Sequence, residues 1–145
     1  MSRKSDIVLG GIWAVIDAAV ALAGFEDVAV IRGSRRPEGA GSPCLTVFWF
    51  SEVRPDSHYA LDELYLQVVL WEANEDDSGL SEDAMEIAEA VDVALNNQSI
   101  GVDDTGETLG TWMMTRDGIP MPSPEGFDQQ SNEYFRIMRY RVIVG

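Results

Sequence analysis

One cysteine and one histidine stand in a chain of 145 residues. Only one lysine, Lys4, accompanies them. A single Cys44 rules out any intrachain disulfide and fits a reducing compartment. Its expected place is the buried side of a strand. A single His58, in the run Asp56-Ser57-His58-Tyr59, leaves no material for a histidine-rich metal site. The sequence marks no partners for it in a catalytic triad, so it reads as a plain loop residue. No apolar run reaches the roughly 18–20 residues that cross a bilayer. Residues 7–23 come nearest, but Asp17 interrupts them and no cleavage-site pattern follows. Neither a transmembrane helix nor a signal peptide is expected. No phosphate-binding glycine loop precedes a helix start, because Gly10-Gly11 falls inside a helical stretch. Carboxylates are so abundant that a pair such as Asp103/Asp104 says little about glycosidase-like chemistry. The sequence therefore nominates no catalytic, cofactor-binding or metal residue, and no enzyme is expected.

Positive charge is also scarce. Ten basic residues face 25 acidic ones, for a net charge of −15. General nucleic-acid binding needs a basic footprint, and this chain has none. Such a charge keeps copies apart until a complementary surface overcomes the repulsion. The distribution is uneven: nine acids lie between Glu72 and Asp92. Arginines gather at Arg32, Arg35 and Arg36, and again at Arg136, Arg139 and Arg141. The guanidinium fork suits carboxylates across an interface. An acidic face meeting an arginine-bearing face of a neighbouring copy would suit head-to-tail contacts in a ring.

What the chain does contain is periodicity. Residues 7–23 repeat apolar side chains at helical spacing, with a stripe of Ile12, Val15, Ile16, Ala19, Val20, Leu22 and Ala23. Ser5 or Asp6 is the expected cap, Gly24 the stop and Trp13 a core neighbour. Residues 26–32 read as a short strand. The stretch 33–42, rich in glycine and carrying Pro37, reads as a long mobile hairpin loop, and Arg35 and Arg36 make it a candidate partner contact. Residues 43–50 read as a strand, and 45–50 within it are nearly continuously apolar, as in a strand covered on both faces. In the strand 62–73, Leu64, Leu66, Val68 and Leu70 fall on one face, and Tyr65, Gln67, Val69 and Trp71 on the other. The leucine face belongs to the core. The face with Trp71 is too apolar for open water and points to an assembled state.

Residues 74–80 form an acidic turn without the ligand spacing of a calcium-binding loop. Ser81 then caps a helix over 81–97, with Glu82 and Asp83 at the positive end of its dipole. Its buried stripe is Ala84, Ile87, Ala88, Val91, Ala94 and Leu95, leaving Glu82, Glu86, Glu89 and Asp92 or its neighbours outside. Residues 101–110 read as irregular, 111–116 as a strand, and the proline-bearing 117–131 as an extended mobile loop. A last strand, 132–144, alternates Tyr134, Arg136, Met138, Tyr140 and Val142 against Phe135, Ile137, Arg139, Arg141 and Ile143. The expected class is α+β, a single domain over 1–145. Its antiparallel or mixed sheet of about four to five strands packs against two helices, in the order α-β-β-β-α-β-β.

This order resembles the tail terminator, or tail completion, proteins of long-tailed bacteriophages and gene transfer agents. The similar segments are the opening helix with its alanine-rich end before Gly24 and the strand end Val68-Val69-Leu70-Trp71. The alanine-rich helix ending Val93-Ala94-Leu95 and the tyrosine- and arginine-bearing last strand complete the likeness, over roughly residues 7–144. That family carries no invariant functional signature to transfer. The resemblance implies a virion structural protein of the tail neck, assembled in the host bacterial cytoplasm. It would form a ring, typically hexameric, on the head-proximal end of the tail tube. Its implied partners are its own copies, the tail tube protein and the head-tail connector or stopper. Genomic DNA would pass through without specific binding, and no cofactor, metal or membrane is implied. Arg32, Arg35, Arg36, Arg136, Arg139, Arg141 and Trp71 are the expected interface residues. Glu75, Asp76, Asp77, Glu82, Glu86 and Glu89 are candidates to line the lumen. The alternatives are a head-side neck protein, such as a stopper or head completion protein, and a small ligand-binding or enzymatic α+β domain.

Overall fold

Two apolar stripes, far apart in sequence, place both helices on the same face of one sheet. The computed structural model describes residues 3–35, 41–53, 62–73, 79–96, 98–102, 108–116 and 125–144. Helix α1 spans Arg3–Leu22. It begins earlier than the apolar repeat suggests, so Ser5 and Asp6 lie in its first turn rather than capping it. Val8, Ile12, Ile16 and Val20, one per helical turn, are its fully buried stripe. Leu22 and Ala23, expected in that stripe, are exposed. Leu22 sits roughly 100° around the helix from the centre of that stripe, on its flank. The helix ends in two hydrogen bonds, Gly24 N–H to Ala21 O at 3.0 Å and Phe25 N–H to Val20 O at 3.1 Å. This Schellman closure needs a left-handed residue, and Gly24 supplies it with φ of 98°.

The strands follow as β1 (Ala29–Arg32), β2 (Cys44–Val53) and β3 (Asp62–Glu72). Helix α2 (Glu82–Leu95) comes next, then β4 (Ser99–Val102), β5 (Thr108–Arg116), β6 (Glu125–Asp128) and β7 (Glu133–Val144). They form one seven-stranded mixed sheet in the order β1-β2-β3-β7-β5-β4, with β6 also paired to β7. The class is α+β, as the sequence implied. The sheet gains the four-residue strands β4 and β6, which fall partly or wholly in stretches read as irregular. β6 pairs Glu125 with Arg136 through to Asp128 with Glu133, while β5 pairs Arg116 with Tyr140 and Met113 with Ile143. The two therefore share the edge of β7 opposite β3.

The segment after β1 is not a hairpin. β1 pairs with β2 in parallel, Ala29 against Cys44 and Arg32 against Val47. A glycine-rich stretch signals a break in regular structure but not the direction in which the chain returns. β1 has only four residues, so a short excursion reaches back to its start, where a longer strand would need a helix-sized crossover.

Register fixes the faces. Leu45, Val47 and Trp49 oppose Leu70, Val68 and Leu66, and Leu64, Leu66 and Val68 oppose Val142, Tyr140 and Met138. All belong to one core with the α1 stripe and with Ala84, Ile87, Ala88, Val91 and Leu95 of α2. Polar clamps hold the helices on the sheet. Tyr140 Oη donates to Asp92 Oδ1 at 2.8 Å. Buried Glu72 accepts from Ser81 N–H at 2.7 Å and from Ser81 Oγ at 2.6 Å. Ser81 Oγ in turn accepts from Ala84 N–H at 3.1 Å. Ser81 thus caps α2 and ties its start to the end of β3. Trp13 donates its indole N–H to Val30 O at 2.7 Å, which occupies an acceptor of β1 and blunts that sheet edge.

Two outcomes follow for stability in urea. Leu66→Ala, at a fully buried site, costs about 2–5 kcal/mol. Leu22→Ala, at a residue 89% exposed, stays within about 0.5 kcal/mol. The cap behaves as a coupled pair: Ser81→Ala lowers stability by about 1–2 kcal/mol. Adding Glu72→Ala to it then costs less than Glu72→Ala does alone, which a double-mutant cycle measures.

Candidate assembly surfaces

Both helices pack on one face, and among the described residues no helix covers the other face of β2, β3 and β7. Its side chains come from the alternate positions of the strands. Thr46 and Cys44 are fully buried there and Val69 nearly so, while Phe48, Tyr65, Gln67 and Trp71 are half-buried. Phe135, Ile137, Arg139 and Arg141 of β7 are half-buried as well. The strand register pairs Trp71 with Phe135, Val69 with Ile137, Gln67 with Arg139 and Tyr65 with Arg141. The Trp71 and Phe135 rings lie 5.7 Å apart and tilted, a favourable aromatic geometry. Trp71 Nε1 donates to Thr46 Oγ1 at 3.1 Å, and Arg139 Nε donates to Gln67 Oε1 at 2.9 Å. Residues of the same strands thus pre-order the aromatic and guanidinium groups, which lowers the entropy lost when such a face is covered.

The expected interface residues divide among several places. Trp71, Arg139 and Arg141 share the helix-free sheet face. Arg136 points to the opposite side, as the period of two requires. Its Nη1 lies 3.1 Å from Glu125 Oε1 and 3.5 Å from Met85 Sδ of α2. Arg32 is exposed at the end of β1 and donates through Nη2 to Asp6 O at 3.3 Å. Arg35 is exposed just beyond. Arg36 lies outside the described residues, as do Glu75, Asp76, Asp77, His58 and the pair Asp103/Asp104. Glu82, Glu86 and Glu89 are exposed on α2.

One surface escaped the sequence reading. A groove opens between the C-terminal part of α1 and the outer side of α2, lined by Ala19, Leu22, Glu86, Glu89, Val93 and Ala94. Leu22 is 89% and Val93 68% exposed. The signal was present, since neither residue fits the buried stripe of its helix at 100° per residue. Only the packing of α1 against α2 brings the two together. Among the described residues no group of three or more His, Cys, Asp or Glu is placed to hold a metal ion. Nor is any described helix long and apolar enough to cross a membrane.

No protein-family model matches the chain, and no curated protein matches it. A solved structure does: a chain of a structure described as the virion of a native gene transfer agent particle. The TM-score is 0.62 at 13% sequence identity, with 99% of this chain and 98% of that chain covered. At that identity the likeness is one of fold, and it runs end to end. This chain thus has the same overall fold as a protein found within a gene transfer agent virion.

Proposed function

We propose that the protein is a virion structural protein of the tail neck. It closes into a ring on the head-proximal end of the tail tube, ends tube polymerisation and joins the tail to the head connector. The observation that carries this reading is the end-to-end fold match to a chain of a gene transfer agent virion. The α-β-β-β-α order and the tyrosine- and arginine-bearing last strand, which resemble tail terminators, direct it to the tail. A structural rather than enzymatic role is in keeping with the virion setting of that matched chain.

Capping follows from two unlike ring faces: one engages the last ring of the tube, and the other accepts no further tube ring. The pre-ordered aromatic and arginine face of β2, β3 and β7 is suited to contact with neighbouring virion subunits. Acids on the acidic turn and at the start of α2 would line the lumen, where like charge keeps passing DNA from adhering.

The test is to add purified protein to polymerising tail tube protein and image the products. Shorter tubes, each with extra density at one end, are expected. Tubes of unchanged length with bare ends would refute the terminator role. Binding to the head connector but not to tubes would assign the chain to the head-side neck instead.

A further inference from the structure

The groove between α1 and α2 has an apolar floor and an acidic rim. Leu22 and Val93 are its most exposed apolar side chains, with Ala19 and Ala94 beside them and Glu86 and Glu89 at the edge. No lysine or arginine occurs from Asp6 to Leu22 or from Glu82 to Leu95. Beyond the first turn of α1, neither helix carries a basic residue of its own to balance Asp17, Glu82, Asp83, Glu86 and Glu89, all of them exposed. An occupant must bring cationic heads on apolar stems. Arginine is such a group: its methylene stem covers apolar surface while the guanidinium reaches a carboxylate.

This chain carries such a group at its opposite end. Arg32 Nη2 lies 3.3 Å from Asp6 O, so the end of β1 sits beside the N-terminal part of α1, and Arg35, three residues on, is exposed. Leu22 closes the other end of the same helix, about 24 Å away at 1.5 Å per residue. The two surfaces complement each other in charge, yet the length of α1 keeps them apart within one molecule.

We propose that the groove receives the Arg35 segment of a second copy. The Arg35 stem lies over Leu22 and Val93, and its guanidinium pairs with Glu86 and Glu89. Contact between two different patches is heterologous, the kind that generates closed rings when its rotation closes. It also concentrates opposite charges in a chain that otherwise repels itself. The proposal rests on the ring reading above and names the junction between subunits. Glu86 and Glu89 then face a neighbour, while Glu82 stays available to the lumen.

The test uses the full chain and two surface variants, Arg35→Ala and Val93→Arg, each checked for native circular dichroism and unfolding midpoint. Sedimentation then follows the wild type, each variant and their equimolar mixture, with and without tube ends. Each variant alone should weaken self-association at least about tenfold. The mixture should give dimers, because the intact groove of Arg35→Ala can accept the intact arginine segment of Val93→Arg. Wild-type self-association should also weaken as salt rises, as partly exposed ion pairs do. Rings that persist in both variants would overturn this junction and leave the ring reading intact. Loss of rings in both, with no dimer in the mixture, would overturn the pairing of these two patches. A wild-type chain that never associates, even on tubes, would remove the ring reading and the junction with it.

Discussion

The antiparallel pair of β3 and β7 is the constraint on which the rest of the molecule depends. It runs in unbroken register from Asp62 opposite Val144 to Glu72 opposite Tyr134. Period-two alternation then sorts every side chain to one of two faces. Leu64, Leu66, Val68 and Leu70, with Met138, Tyr140 and Val142, draw both helices to one side. Trp71, Phe135, Arg139 and Arg141 are thereby committed to the other. A slip of one residue would exchange the two sets and bury the arginines under α2. The Tyr140–Asp92 and Glu72–Ser81 bonds work against such a slip, since each needs its strand residue on the helix side.

A two-layer domain with helices on one side has two unlike outer surfaces. Here the helical layer is acidic with an apolar groove, and the opposite sheet face is aromatic with arginines. The blunted edge at Val30 disfavours extension of the sheet by another strand on that side. Side-chain surfaces are then the more suitable places for contacts between subunits. A strongly negative chain needs such contacts to be electrostatically complementary as well as apolar.

Much of this was legible in the residues. Ser81 and the stripe from Ala84 to Leu95 specified α2, because cap and periodicity agreed. The alternation in 62–73 and 132–144 specified the faces of β3 and β7, and with them the separation of Arg136 from Arg139 and Arg141. The parallel pairing of β1 escaped, since Gly33 to Ser42 announces an irregular stretch but not where the chain re-enters the sheet. Strands β4 and β6 escaped because four residues carry too little alternation, and in the fold it is pairing with β5 and β7 that defines them. The groove escaped for a related reason. Leu22 and Val93 are more than 70 residues apart, and only the packing of α1 against α2 makes them one surface.

The central claim, that this chain functions as a ring in a virion neck, is tested most directly by its mass in solution across concentration and salt, with and without tail tubes. The account predicts a closed assembly of about six copies with an open centre, formed freely or on tube ends. A monomer under every condition, ignored by the tubes, would contradict it.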